Sequence, residues 1–340
     1  MRIRFVLSHA GSRLYGEIRE GMVAQALARL GHDVAIYRMS GEPAMRTESF
    51  GGLVPVSYFP VANDGAPWPQ LVSPALIGQL AAEPPDIVLF KGIGYDIVPL
   101  ALDLLAPTTR VGLILGGIAV DPILARVDFV LAESEDQIAA IHAALGRPLP
   151  CRPLAKYIDW AAADAAHAAA EEPLYELVNV GKFEPRKNQI GLRPFFDRHR
   201  LAMIGEGETF EAVAAAAAGQ PQVHLLGLLE NAEVLRVLAR SRLMVHSSIW
   251  EGVPRTILES LACGTPAIAF GFAVQDRFAG TDAVRLVPRD GLEAAVEALL
   301  ADSVGLRALR KEARRYALAR HGPHRLAEAA GDILALAAAG

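Results

Sequence analysis

The chain has 340 residues, with 33 Lys and Arg against 38 Asp and Glu for a formal net charge of -5. At roughly 100–200 residues per domain that length favours two domains, and the acidic balance gives no global positive field to attract nucleic acid or anionic lipid. A hydrophobic content of 52% excludes a disordered chain, and many Ala, Val and Leu beside 6% aromatics suit helices packed on buried strands. Cys151 and Cys263 lie far apart and outside any CxxC spacing. They exclude a disulfide framework and a cysteine zinc site, and they fit a reducing compartment. The apolar run Phe5–Leu7 is shorter than the roughly 7–15 residues of a secretory signal. Leu261–Val274 is broken by Gly264, Pro266 and Gly271 and falls short of the ~20 residues of a membrane span. A soluble cytoplasmic protein is expected, with peripheral membrane contact left open.

Short β-branched apolar runs at 3–7, 33–37, 86–90, 111–115 and 128–132 alternate with helical patterns, the rhythm of repeated βα units. Between the first two, Ile18, Met22, Val23, Ala26, Leu27 and Leu30 recur at helical spacing before Gly31 closes the helix. Residues 158–173 are mostly Ala with a few charges; they can form helix but offer little bulk to bury, and read as a connector. The strand rhythm then restarts at 175–181, 200–205, 222–227, 242–247 and 265–270, with helices near 208–218, 231–240, 254–262 and 291–301. Pro323–Leu336 places Leu326, Ala330, Ile333 and Leu334 on one helical face.

The predicted fold is α/β, with two doubly wound Rossmann-like domains facing across a cleft. Residues 1–155 form the first domain, 156–174 the connector and 175–320 the second domain, and 321–340 form a helix packing back on the first. Arg307, Arg310, Lys311, Arg314 and Arg315 make a basic stripe on one helix, read chiefly as a solvated face.

The most informative stretch is HSSIWEGVPRTILESLACGTPAIAF, residues 246–270. Pro254 suits a first helical turn. The N–H groups of Arg255, Thr256 and Ile257 would then point out of a helix N-terminus, where the dipole favours phosphate. Glu251 and Glu259 bracket the turn, about 12 Å apart if all eight steps are helical. A second segment, VNVGKFEPRKNQ at 178–189, places Lys182 and Lys187 after Gly181, and lysine point charges suit phosphate oxygens. Arg186 between them reads as solvent-facing. Two lysines, a helix N-terminus and two carboxylates describe a nucleoside diphosphate-sugar site better than a metal site. No Asp-x-Asp pattern is present to hold a divalent ion, so neither metal nor cofactor is expected. A glycosidase pair, which needs carboxylates ~5–9.5 Å apart, would have no use for the neighbouring cations.

These segments resemble the retaining glycosyltransferases of family 4, which have the GT-B fold. EGVPRTILE reproduces that family's Glu, seven residues, Glu spacing, and ESLACGTPAIAF follows its Glu-Ala-Met-Ala-Cys-Gly-Thr-Pro-Val-Ile-Ala run. Weaker matches, LARLGHDVAIY, RVDFVLAESEDQI, LAMIGEGE and HLLGLLENAEVLRVLARSRLMVHSS, fall in the right order. The resemblance implies transfer of a hexose-type sugar from a UDP- or GDP-sugar to an acceptor hydroxyl that the sequence does not identify, in glycan, glycolipid or secondary-metabolite synthesis, with the acceptor side in the first domain and the donor side in the second. Glu259 would bind the donor ribose, Glu251 with Gly252 the donor sugar, and Lys182, Lys187 and the amides of residues 255–257 the diphosphate. Backbone at Gly11 or Gly16, in the loop SHAGSRLYGE, would approach the donor phosphate, and His9 is a candidate for sugar or acceptor contact.

Two departures stand out. LILGGIAVDP lacks the family's first-domain histidine, leaving Asp121 as the nearest ionisable group, and GFAVQDRF replaces its Gly-Gly loop. The short interval from Lys187 to Gly205 implies a trimmed helix. A nucleotide-sugar binding protein without transfer activity and a GT-B-type nucleotide-sugar epimerase are the alternatives.

Overall fold

The computed structural model describes residues 1–14, 18–116, 120–251, 253–271 and 278–339. The chain divides into two compact units, Met1–Tyr157 with Pro323–Gly340, and Ile158–Gly322. Unit 1 contains β1 (Arg2–Leu7), α1 (Arg19–Arg29), β2 (Asp33–Ser40), β3 (Arg46–Phe50), β4 (Val54–Pro60), α2 (Pro74–Ala82), β5 (Ile87–Lys91), α3 (Ile97–Leu102), β6 (Arg110–Ile114), β7 (Phe129–Ala132), α4 (Glu135–Leu145) and β8 (Cys151–Pro153).

The described strands of unit 1 form one sheet in the order β3-β4-β2-β1-β5-β6-β7-β8. Its strand pairs are parallel except β3 on β4. Both faces are covered. Val6, Val88 and Phe90 join one core, while Ile3, Phe5, Leu7 and Leu89 join another. Doubly buried strands read as continuous apolar runs, which is why β1 and β5 were legible. The β3–β4 hairpin was not read from the sequence. Its outer strand, RTESF, is a polar edge, and its turn at Gly51 and Gly52 takes φ of +55° and +71°.

Unit 2 contains α5 (Trp160–Ala168), β9 (Tyr175–Val180), β10 (Leu201–Ile204), α6 (Phe210–Ala217), β11 (Val223–Gly227), α7 (Asn231–Ala239), β12 (Ser241–His246), α8 (Arg255–Ala262), β13 (Ala267–Phe270), β14 (Val284–Val287), α9 (Leu292–Ala301) and α10 (Ser303–His321). The last helix, α11 (Pro323–Ala338), packs in unit 1, where Ala329, Ala330 and Ile333 meet a core that includes Phe5 and Leu27. The sheet of unit 2 runs β11-β10-β9-β12-β13-β14, with parallel neighbours throughout. Counted within the unit, that is third, second, first, fourth, fifth, sixth, so strand order reverses between β9 and β12. In unit 1 it reverses between β1 and β5. Doubly wound sheets bind ligands beyond the carboxyl ends of the strands at such reversals.

Three expectations need correction. Residues 160–168, read as a connector able to form helix but with little to bury, are a helix capped by Asp159, which accepts from the Ala162 N–H at 3.0 Å, and they are not a mere link. Ala163 and Ala166 are buried in the core of unit 2, because small side chains let the helix come close. Second, part of the basic stripe on α10 is internal. Arg310 donates to the carbonyls of Ser241 (2.7 Å) and Ala239 (3.1 Å), and Arg314 to that of Ala262 (2.6 Å). Third, the link from β9 to β10 holds 3₁₀ turns at Pro185–Lys187 and Gln189–Phe195, with Pro194 inside the second, where a trimmed helix was expected. Both thiols are structural, since burial pushes Cys151 up to about 11 and Cys263 up to about 12.

Candidate donor site

At the reversal in unit 2, the loops leaving β9 and β12 are tied to each other. Asn179 on β9 donates to the Val245 carbonyl (2.8 Å) and to Ser247 Oγ (3.2 Å), and Ser247 Oγ donates to the Lys187 carbonyl (2.7 Å). Asn188, left-handed at φ 53°, donates to the Ser247 carbonyl at 3.3 Å, and the Ile249 N–H donates to the Arg186 carbonyl at 2.9 Å. A Cβ on Gly205 would stand 2.1 Å from the Gly181 carbonyl oxygen, and one on Gly207 2.2 Å from that of Phe183, so their missing side chains admit the loop that carries Lys182.

This frame brings charges together. Lys187 Nζ lies 2.5 Å from Glu251 Oε1, and Arg186 Nη1 lies 3.1 Å from the same oxygen. Arg186 also donates to the Trp250 carbonyl (2.8 Å) and to Glu184 (2.7 Å). The solvent-facing reading of Arg186 is therefore corrected, since its fork joins both loops. His246 Nε2, almost wholly buried, is 3.6 Å from Glu251 Oε1. Burial works to raise the Glu251 pKa, yet the His246 ring close by and the hydrogen bond from the Lys187 ammonium hold it well below the usual carboxylate range. Burial also lowers the His246 pKa, against the pull of Glu251 beside it. His246 carried no signal in the sequence beyond its place in the quoted stretch, because only burial distinguishes it from a surface histidine. Lys182 stands apart, with 71% of its side chain exposed and Nζ 3.9 Å from Glu184.

Helix α8 begins at Arg255 with no side-chain cap. The Ile257 N–H donates to the Pro254 carbonyl at 3.2 Å, so the expectation of three outward amides is corrected: the tightened first turn presents those of Arg255 and Thr256. Thr256 Oγ1 is buried and has no hydrogen-bond partner among the described residues. Glu259 is 4% exposed and accepts from Asn231 Nδ2, at the start of α7, at 3.0 Å. Asn231 was not singled out in the sequence. Gly252 lies outside the described residues, as does Gly16.

The remaining predicted residues belong to unit 1. Gly11 donates its N–H to the Met39 carbonyl at 2.9 Å, and the Arg38 guanidinium occupies the space of its missing Cβ. Its glycine identity is thus explained within the chain, and its amide is not open to a phosphate. Asp121, with His9 a candidate for sugar or acceptor contact from the sequence, caps the 3₁₀ turn Pro122–Arg126 by accepting from the Ile123 N–H at 2.8 Å. Burial, with the charges of Arg38 and Lys91, lowers His9 to about 4. The first turn of α1 holds Glu20, which has no exposed surface and pairs with Arg19 (3.0 Å) and Lys91 (2.8 Å). Burial opposes its charge, but those cations hold its pKa at about 2. Among the described residues no group of three or more His, Cys, Asp or Glu could hold a metal ion, and no helix is long and apolar enough to cross a membrane.

Residues 176–302 match the family model described as glycosyl transferases group 1. An uncharacterized glycosyltransferase of Methanocaldococcus jannaschii is 30% identical over 105 residues, a match that covers 28% of this chain and only 25% of the relative. Among solved structures, sucrose-phosphate synthase from Thermosynechococcus elongatus is similar with a TM-score of 0.76 at 16% identity, covering 99% of both chains. HepE of Anabaena, solved in complex with UDP and glucose, is similar with a TM-score of 0.69 at 15% identity, covering 98% of this chain and 99% of its own. With two parallel-sheet α/β units and these neighbours, the fold is GT-B.

Proposed function

We propose that the chain is a retaining glycosyltransferase of family 4 that moves a hexose-type sugar from a UDP- or GDP-sugar to an acceptor hydroxyl. The observation that carries this reading is the Lys187–Glu251 pair beside the uncapped start of α8, with Glu259 buried four residues into that helix. The family match over unit 2, and the UDP and glucose held by the Anabaena neighbour, support it. A nucleoside diphosphate would lie with its phosphates at the amides of Arg255 and Thr256 and the cations of Lys187, Arg186 and Lys182. Glu259 would accept from the ribose hydroxyls, and Glu251 from the hydroxyls of the sugar.

In the transfer, the bond from the sugar's anomeric carbon to the β-phosphate oxygen breaks as the bond to the acceptor oxygen forms on the same face. The acceptor's proton passes to the departing phosphate oxygen. Negative charge grows on the diphosphate, and fixed cations and helix amides stabilise it there without a metal ion.

A thermal-shift comparison of UDP, GDP, ADP and TDP tests the reading, since a ligand at 100 times its Kd stabilises by about 2.7 kcal/mol. One nucleoside diphosphate should raise the melting temperature, and Glu259→Gln should weaken its binding more than it slows turnover. No stabilisation by any of the four would overturn the proposal.

A further inference from the structure

At the carboxyl ends of β1 and β5, three rings stand in a row. The Trp68 indole is edge-to-face with His9, centroids 5.6 Å apart at 62°, and with Tyr95, 6.0 Å apart at 83°. His9 follows β1 and Tyr95 follows β5, so the row occupies the strand-order reversal of unit 1, where doubly wound sheets receive ligands. Trp68 is nonetheless 53% exposed. A large ring left half in water and backed by two others is a surface built to be covered.

The ring is also held still. Its 3₁₀ turn, Trp68–Gln70, contains Pro69 and follows Pro67. The Gln70 N–H donates to the Pro67 carbonyl (2.8 Å), and Asn63 Nδ2 donates to that of Gln70 (2.8 Å). The Asp96 N–H donates to the Pro69 carbonyl at 2.9 Å, tying the turn to the loop that carries Tyr95. Gly92, at φ +92°, leaves room for the Tyr95 ring where a Cβ would stand 2.8 Å from it. A platform fixed in this way loses little side-chain entropy when a ligand settles on it.

Charge selects among ligands. Lys91 is committed to Glu20, and Arg38 donates to the carbonyls of His9 (3.4 Å), Ala10 (3.4 Å) and Arg13 (2.7 Å). The His9 ring is neutral at pH 7 and can both donate and accept. The chemistry suits hydroxyl groups.

We propose that this row is the acceptor subsite, taking an uncharged sugar ring whose C–H face stacks on Trp68 and whose hydroxyls bond His9 and Tyr95. The word acceptor rests on the transferase reading, whereas the saccharide binding does not. Isothermal titration of the intact chain with maltose, cellobiose and lactose tests it, with glucose 6-phosphate and p-nitrophenol as contrasts and no nucleotide present. At least one neutral disaccharide binds. Trp68→Ala weakens that binding by about tenfold or more, while Trp68→Phe retains it within about threefold, as expected for aromatic stacking. An unchanged circular dichroism spectrum and unchanged nucleoside diphosphate stabilisation show that both variants fold. Binding of none of the three disaccharides, equal binding by the Trp68→Ala protein, or binding of p-nitrophenol or the sugar phosphate alone overturns the proposal. Loss of nucleotide binding with saccharide binding intact would sink the transferase reading alone.

Discussion

The two units reverse strand order at equivalent places and furnish them in opposite ways. In unit 2 the reversal is lined with charge, namely Lys187 and Arg186 on Glu251, next to a helix whose first turn has no side-chain cap. In unit 1 the helix after β1 supplies its own anion, Glu20, with two cations already bound to it, and the surface beyond is aromatic. A helix N-terminus attracts phosphate only while nothing else occupies it. On the two proposals above, the same topology provides one anion site and one site for a neutral ligand, and the difference lies in one buried carboxylate.

The largest effect should come from removing that carboxylate. Glu20→Ala leaves the half-buried Lys91 without its partner and Arg19 with only Glu133 as a counter-charge, at 3.6 Å, and urea unfolding should show a loss of about 3 kcal/mol. A loss below about 1 kcal/mol would mean that the network is better solvated than its burial indicates. On the charged side, Lys187→Ala removes the cation nearest Glu251, and steady-state rates should fall about 10²–10³-fold, the scale for losing one group aimed at developing charge. Normal turnover with normal nucleotide affinity would remove Lys187 from the diphosphate site.

His9 sharpens the contrast by titration. With a folded pKa of about 4 against an ordinary 6.5, the unfolded chain takes up a proton between those values that the folded chain refuses. Its contribution is complete above pH 6.5 and declines as pH falls toward 4. An NMR titration showing the His9 ring near 6.5 would contradict the buried, cation-flanked setting. The smallest effect belongs to Lys182, whose exposure limits its electrostatic contribution. Lys182→Ala should change nucleotide affinity by less than about fivefold.

How much was legible follows from which physical feature each residue type advertises. Buried parallel strands announce themselves as apolar runs, so β1, β5, β9 and β12 were placed nearly to the residue, whereas the polar edge strand β3 carries no such pattern. Lys187, Glu251 and Glu259 could be singled out because they lie in two short stretches whose residue types and spacing stand out in the sequence. Arg186, His246 and Asn231 act through partners 65, 5 and 28 positions away, contacts that only folding creates. Asp121 and Gly11 were drawn into the site by position, yet a capping bond and the Arg38 guanidinium account for them. The aromatic row was invisible for a related reason, because His9, Trp68 and Tyr95 come from three separate loops.

The central claim, sugar transfer from a nucleoside diphosphate donor at the charged reversal of unit 2, is tested most directly by incubating the chain with labelled UDP- and GDP-hexoses in the absence of acceptor. The account predicts slow release of free nucleoside diphosphate and of sugar with its anomeric configuration retained, at a rate that collapses in Lys187→Ala. Recovery of every donor unchanged, or of an epimerised donor with its diphosphate still attached, would contradict it.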